Sequence, residues 1–566
     1  MYIDTVPNRN SPPTILLRES YREGKKVKKR TIANITKWPS HMVDGLRILI
    51  SGKKVFAEGE LIIEKSTPHG HVEAILGTMK KLGMDTLLSS QACKERNLVM
   101  AMIAERLIHP CSKLATTRTW NSSTLAEELG VDQADEDDLY TAMDWLVQNQ
   151  SKIEGKLAKR HLKDGALALY DISSSYYEGR TCPLIAFGHN RDGKKGKQII
   201  VYGLMADADG RPIAMDVYPG NTADPTTIPD QIEKLSERFN LSRVVLVGDR
   251  GMLTQTQIEK VKQCPSLGWI SALRSRSIQE LVEGNRLQLS LFDQQDLAEI
   301  TSPDYPGERL VACFNPFLAE ERKRKRLDLL EATENNLKKI SQQIERRKKK
   351  KITKPEIGLK VGKVINRYKV GKHFKLAIDE GKLSWQRNEN NIEKEASLDG
   401  IYVIRTSEPK EKMSAEDAVR NYKSLSQVER AFRSLKSVDT LIRPIRHRKE
   451  VRVKAHIFLC MLAYYVEWHM RKALKPLLFE DEELEDSRKT RDPVAPAKPS
   501  QTAKDKKKNK KTKDGFPVHS LKTLLIEMGT RCKNLCKIKS APNAPAFTQL
   551  TELNPFQKKV FQLLDL

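Results

Sequence analysis

The 566-residue chain lacks the cysteine patterns that would hold a fold together through disulfides or a structural zinc ion. Its eight cysteines are scattered, and only Cys532 and Cys536 lie close together, as C-x-x-x-C without a second Cys or His pair. A zinc site at this pair is therefore not expected. Scattered thiols in a large chain are typical of a reducing compartment, which predicts a cytoplasmic protein.

Long apolar runs are also missing. The most apolar stretch, AHIFLCMLAYYVEW at 455–468, is too short to span a bilayer and contains Glu467, so it predicts a buried core helix. The N-terminal residues MYIDTVPNRN place an Asp and a Pro where a signal peptide has a basic and then an apolar segment. Neither a membrane span nor a membrane partner is expected.

What the chain has in excess is positive charge. Its 99 Lys and Arg residues outnumber 73 Asp and Glu residues, for a net charge of +26. Such an imbalance favours a polyanionic partner, above all a nucleic acid. A basic soluble protein that works beside ribosomes or membranes is the alternative. The length predicts three or four domains, and the hydrophobic content of 39% is enough to fold them.

Apolar periodicity and composition divide the chain into seven segments. They are a small β-rich module (1–70), a helical segment (71–165), the first part of a sheet domain (166–274), a basic insertion of short strands and helices (275–398), the second part of the sheet domain (399–480), a flexible basic linker (481–514) and a helical tail (515–566).

The sheet domain begins with three apolar segments that predict hairpin-connected strands. They are ALALYDIS (166–173), KQIIVYGLMAD (197–207) and RPIAMDVYPGN (211–221). Helix-like and strand-like segments then alternate, and the first of these strands is RVVLVGD (243–249). This order predicts an α/β fold in which a mixed sheet is covered by helices.

Two aspartates in these strands have the same unusual context. Asp171 and Asp249 each follow four or five mostly apolar residues of a predicted internal strand. A buried ionised carboxylate is costly unless it is paired or binds a metal. A single such Asp could instead cap the next helix. Two of them in one sheet favour a shared site, because hard divalent cations such as Mg²⁺ bind clustered carboxylate oxygens.

A third acid lies in NYKSLSQVERAFRSLKS (421–437), where Tyr422, Glu429 and Lys436 are spaced by seven residues. At about 3.6 residues per turn, this spacing predicts one line along a helix. An apolar stripe runs beside the line, formed by Leu425, Val428, Phe432 and Leu435. The charged line therefore borders the buried face. The alternative is a solvated helix edge with a few ion pairs.

Together these motifs, D-x-S at 171–173, V-x-D-R-G at 247–251 and Y-(6)-E-(6)-K at 422–436, resemble the DDE transposases of bacterial insertion sequences. The most similar branch has a β-rich insertion between the second Asp and the Glu, and here 180 residues separate them. The resemblance extends from about residue 1 to 475. It implies an RNase H-like mixed sheet flanked by helices, interrupted by a β-rich and helical insertion, with N-terminal β and helical modules.

The same resemblance implies roles for individual residues. Asp171, Asp249 and Glu429 would be the catalytic residues and would bind two Mg²⁺ ions, for which Mn²⁺ can substitute. Tyr422 and Lys436 would contact DNA near the reacting phosphate. Cleavage would free a 3′-hydroxyl at the end of the element, and the same site would join it to target DNA.

One position departs from the family pattern. The family has an Arg three residues after the Tyr, and this chain has Leu425 there. We expect Arg430 or Arg433 to take its place at the DNA.

Further DNA contacts are expected from Arg250 and from the basic block that contains Lys348 and Lys349, because such a block binds the phosphate backbone non-specifically. The basic turn FGHNRDGKKGKQ (187–198) either binds phosphates near the site or is a solvated loop. The implied partners are double-stranded DNA, as terminal inverted repeats bound by segment 71–165 and as target, and a second copy of the chain. The implied location is the bacterial or archaeal nucleoid.

Two other functions remain open from the sequence. One is a catalytically inactive transposase that is kept as a DNA-binding protein, for which Leu425 is the argument. The other is a haloacid-dehalogenase-like phosphatase, since DISSS and VGDRG resemble its Asp loops. That chemistry needs a second Asp two residues after the nucleophile, and position 173 is Ser.

Overall fold

The computed structural model describes residues 1–9, 11–52, 59–293, 295–347, 352–540 and 543–566. They form two compact units, Met1–His69 with Arg531–Glu552, and Gly70–Thr530 with Leu553–Leu566.

The strands of the described residues are numbered in chain order. They are β1 (Tyr2–Val6), β2 (Thr14–Glu23), β3 (Lys26–Asn34), β4 (Leu61–Pro68), β5 (Ala166–Tyr176), β6 (Ile199–Ala206), β7 (Pro212–Pro219), β8 (Val244–Val247), β9 (Leu267–Ala272), β10 (Leu297–Ile300), β11 (Arg309–Phe314), β12 (Phe374–Asp379), β13 (Lys382–Arg387), β14 (Ile401–Thr406), β15 (Cys532–Ile538) and β16 (Phe547–Leu550).

The α-helices are numbered in the same way. They are α1 (Ser40–Ile50), α2 (Gly70–Lys81), α3 (Met84–Leu88), α4 (Lys94–Ile108), α5 (Lys113–Arg118), α6 (Leu125–Leu129), α7 (Glu136–His161), α8 (Ile228–Glu233), α9 (Gln255–Lys262), α10 (Ser275–Glu283), α11 (Pro316–Arg346), α12 (Lys354–Tyr368), α13 (Glu389–Ala396), α14 (Ala415–Lys423), α15 (Leu425–Arg433), α16 (Glu450–Leu474), α17 (Leu484–Thr490), α18 (Gln501–Asn509), α19 (Leu521–Met528) and α20 (Pro555–Leu564).

The smaller unit contains two three-stranded antiparallel sheets. One has the order β1-β2-β3, and the other has the order β16-β15-β4. Here the structure differs from the expected helical tail at 515–566, because this segment supplies two strands. β15 pairs with β4 although more than 460 residues separate them, and no local pattern in the sequence predicts this pairing.

The larger unit is built on an eight-stranded sheet with the order β10-β11-β14-β9-β8-β5-β6-β7. β5, β6 and β7 are antiparallel neighbours, and β8 and β9 continue the sheet in parallel to β5. This is the mixed sheet flanked by helices that the sequence predicts, and its strand order agrees with the RNase H-like sheet that the resemblance implies. β6 and β9 are buried along their whole lengths, which explains their continuous apolar sequences.

The insertion begins later than the sequence predicts. β10 and β11 fall inside the segment 275–398, yet they extend the eight-stranded sheet beyond β14. The separate part lies between β11 and β14, where α11, α12 and the β12–β13 hairpin share an apolar core of their own. Leu330, Leu337 and Ile344, which recur every seven residues, are buried in this core. Lys348 and Lys349 lie outside the described residues.

The segment 481–514, expected to be a flexible linker, contains α17 and α18. Lys506 explains how so polar a segment is held. Its side chain is buried, and its ammonium group donates to the backbone oxygens of Lys475, Leu478 and Glu480. It thereby satisfies carbonyl groups just beyond the end of α16. Within the described ranges no helix is long and apolar enough to cross a membrane, and the apolar run 455–468 is buried in α16.

Candidate active site

The register of two parallel strands places the first two acids side by side. Leu169 of β5 pairs with Val247 of β8, and Asp171 and Asp249 each lie two residues further along. Parallel strands advance by about the same distance per residue, so the two carboxylates leave the sheet at the same level. Asp171 lies within β5, whereas Asp249 lies just beyond β8 and is separated from its last residue by Gly248.

Local hydrogen bonds orient Asp249. Its Oδ1 accepts from the backbone N–H groups of Gly251 at 2.9 Å and Met252 at 2.8 Å, and Ser271 Oγ donates to its backbone oxygen at 3.2 Å. In the described part of the chain no group donates to Oδ2. The capping interpretation of this Asp is thus compatible with a ligand role, because one oxygen fixes the turn and the other is left for a cation.

The third acid comes from α15, which packs on β5 and β6. Val428, Ala431 and Phe432 are buried, and the ring of Phe432 lies 5.8 Å from the ring of Tyr202 on β6. Glu429 follows Val428 and is exposed beside this packed face. An apolar contact with the sheet therefore positions the helix that carries the acid.

The three acids interact electrostatically. The pKa of Asp171 is raised to about 7, mainly because the side chain is buried and further because Asp249 and Glu429 repel its charge; the N–H of Ile172 and the charge of Arg191 oppose this rise. A buried carboxylate whose ionisation is disfavoured by two neighbouring carboxylates is stabilised when a divalent cation binds between them. The residues therefore fit a hard divalent metal.

The spacing of the acids bears on how many ions they can hold. They are not among the groups of three whose ligand atoms all lie within 4.8 Å in the described residues. Ligands of a single Mg²⁺ are at most about 4.2 Å apart, because each Mg–O distance is about 2.1 Å. Two ions about 3.5–4 Å apart permit a wider separation of the outer ligands. In this structure the three carboxylates therefore do not all lie within the coordination sphere of a single Mg²⁺ ion.

Tyr422, in the last turn of α14, lies close to all three acids. Burial raises the pKa of its hydroxyl to about 12, with further contributions from Asp249, Glu429 and Asp171 that Arg250 partly offsets. The hydroxyl therefore keeps its proton at neutral pH and can donate a hydrogen bond near the carboxylates.

Two known protein families match parts of the chain. Residues 180–466 match the family described as "Transposase DDE domain", and residues 3–61 match "IS1634 family transposase, N-terminal domain". The first match covers about half of the chain and includes Asp249 and Glu429.

The chain belongs to the DDE transposase family.

The predicted membership in the DDE transposases of insertion sequences is confirmed. DNA binding and DNA recombination follow from the family, whose members generally use a divalent metal ion. Among solved structures the transposase is similar to the piggyBac transposase in a synaptic complex with hairpin DNA, with 10% identity, 81% of this chain and 76% of that chain covered, and a TM-score of 0.34. None of the curated proteins compared with the chain matches it.

Lys436 occupies a position that differs from the expected helical line. α14 ends at Lys423, α15 begins at Leu425, and a π-helical turn follows at Ser434–Val438, so Lys436 does not continue the line of Tyr422 and Glu429 on a single helix. The wider turn directs its ammonium group to Asp192 Oδ1, at 3.1 Å. Contact between Lys436 and DNA stays a prediction, and it would require the ammonium group to share or leave this partner.

The predicted arginines differ in how they are held. Arg430 is half exposed and pairs with Glu480 at 3.2 Å, and Arg433 is exposed and forms no ion pair with any described residue. Both line a cavity of about 330 Å³ between α15 and α16. Arg250 is exposed, near Tyr422. Their roles in DNA binding also stay predictions.

Two residues that sequence reasoning did not single out adjoin the site. Arg191 donates to both carboxylate oxygens of Asp224, at 2.8 and 2.7 Å, and its charge acts on Asp171. Asp192 is buried and accepts from Lys436, from Arg443 at 2.7 Å and from the backbone of Tyr176 at 3.0 Å. The sequence did contain a signal for Asp192, because it is the one acidic residue in the basic turn 187–198.

Proposed function

We propose that this transposase cleaves the ends of an insertion sequence and joins them to target DNA by metal-assisted phosphoryl transfer. Asp171, Asp249 and Glu429 would be its catalytic metal ligands. The observation that supports this most is the β5–β8 register, which sets the two aspartates side by side, together with the electrostatic effect of Asp249 and Glu429 on Asp171.

When bound, two Mg²⁺ ions would supply Lewis-acid stabilisation of the phosphate and lower the pKa of a water molecule, and Mn²⁺ would serve in their place. Asp171 would lose its proton on cation binding, because the positive charge would outweigh the repulsion from Asp249 and Glu429. The Tyr422 hydroxyl, which stays protonated, is available to donate to a phosphate oxygen. The exposed guanidinium of Arg250 lies beside it to attract the DNA backbone.

In the first reaction water attacks the phosphodiester at the element end, the bond to the 3′-oxygen breaks, and a free 3′-hydroxyl results. In the second that hydroxyl attacks a phosphodiester of the target and displaces its 3′-oxygen. Neither reaction needs a covalent bond to the protein. Because two ends must be paired, we include in the proposal double-stranded DNA with terminal inverted repeats, read by segment 71–165, and a homodimer.

The experiment is to incubate the full chain with duplex DNA that carries the inverted repeats flanking its gene. We expect a nick with a 3′-hydroxyl at the repeat end in Mg²⁺ or Mn²⁺, and none in EDTA. Asp249→Asn should lower the rate at least about a thousandfold, because several kcal/mol of stabilisation are lost and 1.36 kcal/mol is a factor of ten.

The matched control is Asp328→Asn, which changes an exposed aspartate of α11 whose side chain forms no hydrogen bond or ion pair with any described residue. It should nick at the wild-type rate. Nicking that survives Asp249→Asn would refute the metal-ligand assignment. A wild-type protein that retards the end DNA but cuts it in neither metal would favour the inactive, DNA-binding alternative.

A further inference from the structure

Away from the three acids, the end of α4 and the loop after it bring together a carboxylate, an imidazole and a thiol. One ligand atom each of Glu105, His109 and Cys111 lies within 4.8 Å of the other two, and His109 Nδ1 is 3.8 Å from Glu105 Oε1. The backbone N–H of His109 donates to the backbone carbonyl oxygen of Glu105 at 2.7 Å. This helical hydrogen bond places both side chains on one face.

Glu105 is the feature that most needs a partner. Only 8% of its side chain is exposed, and no Lys or Arg of the described chain lies within ion-pair distance of it. Its one close donor is Thr119 Oγ1, at a long 3.3 Å. Burial raises the pKa of Glu105 to about 7. A carboxylate so poorly satisfied is costly to bury unless a cation binds it.

The surroundings orient two of the three side chains. Thr119 holds the Glu105 carboxylate, and Thr116 Oγ1, on α5, lies 3.3 Å from Cys111 Sγ. Hydroxyl groups that hold ligands in this way are a common outer layer of metal sites.

We propose that Glu105, His109 and Cys111 bind a zinc ion that joins the end of α4 to the loop after it. Oxygen, nitrogen and sulfur donors together suit zinc, which takes four ligands in a tetrahedron. His109 is 65% exposed on its side chain, so it is free to close the remaining distance, and water completes the fourth position. The carboxylate and thiolate charges cancel that of Zn²⁺, so Arg106 and Lys113 nearby face a neutral complex.

Cobalt(II) provides the test, since a cobalt–thiolate bond gives a near-ultraviolet charge-transfer band that oxygen ligands do not. The full chain, stripped with a chelator, should develop this band on addition of one equivalent of Co²⁺ and lose it on addition of Zn²⁺. Cys111→Ser and His109→Ala should abolish the band, and Thr119→Val should weaken the affinity for Zn²⁺ about tenfold.

Two controls isolate the site. Cys93→Ser, which removes a half-buried thiol at the other end of α4, should keep the band. Asp249→Asn should keep it as well, so the result is independent of the proposed catalytic site. No band in the wild type, or a band that persists in Cys111→Ser, would overturn the proposal. If Cys111→Ser does not fold, as judged by its circular dichroism, His109→Ala decides, because that side chain is exposed.

Discussion

Replacing Asp171 with asparagine is expected to abolish DNA cleavage and, in metal-free protein at pH 8, to raise the melting temperature. Asparagine keeps the size of the side chain and an oxygen for the N–H of Ile172, which donates to Asp171 Oδ1 at 2.8 Å. It removes the negative charge that a divalent cation needs. The cleavage rate should fall at least about a thousandfold, as for other lost metal ligands.

The gain in stability follows from the direction of the pKa shift. The pKa of Asp171 rises from 3.8 to about 7 on folding, so the folded state holds this proton more tightly than the unfolded state does. The resulting stabilisation is complete below pH 3.8 and is lost as the pH rises through 7. Asparagine cannot ionise and avoids the loss, which we place on the order of 2 kcal/mol after allowance for solvent screening.

Thermal unfolding in EDTA at pH 5 and pH 8 measures this effect. The advantage of Asp171→Asn over the wild type should be larger at pH 8. Asp328→Asn, at an exposed position, should show no such pH-dependent gain. A variant that is less stable than the wild type at pH 8 would mean that Asp171 is not destabilised by its neighbours. Cleavage by the variant at the wild-type rate would mean that Asp171 is not a metal ligand.

Asp192→Ala is expected to destabilise the transposase by about 3 kcal/mol, because it leaves the buried ammonium group of Lys436 without its partner. It also frees Arg443 and the backbone N–H of Tyr176. The loop that carries Arg191 and the π-helical turn after α15 lose the residue that joins them. We therefore expect slower cleavage even at temperatures where the variant is folded.

Chemical denaturation measures the loss, and Glu178→Ala is the matched control. Glu178 pairs with Arg446 at 3.0 Å, but both side chains are exposed, so removing this carboxylate should cost at most about 1 kcal/mol. An equal, small loss in both variants would show that the Asp192 cluster contributes no more than a surface ion pair.

The sheet and its acids could be anticipated because they depend on local patterns. Continuous apolar residues in β6, β8 and β9 indicate buried strands, and an acid directly after such a strand is conspicuous. The parallel register then sets Asp171 beside Asp249, which needs only that β5 and β8 are neighbours. The position of Glu429 could be predicted from the apolar face of α15, which includes the adjacent Val428.

Other features depend on contacts between distant segments, which the spacing of apolar residues along the chain does not predict. β10 and β11 extend the eight-stranded sheet, and β15 pairs with β4, although nothing in the sequences of these strands indicates their partners. Lys506 looks like part of a solvated basic run and instead fills a buried position. Lys436 shares the seven-residue spacing of Tyr422 and Glu429, but a π-helical turn directs it to Asp192.

In this transposase, then, residue order alone specifies which strands are buried, where acids follow them and which helix face packs on the sheet, because burial of apolar side chains acts over a few neighbouring residues. Which strands pair across hundreds of residues, and which carboxylate each Lys or Arg meets, was settled only on folding. The observed pairings depend on the relative free energies of many alternative long-range contacts, and each contact has its own entropic cost of closing a loop. No local sequence pattern contains that information.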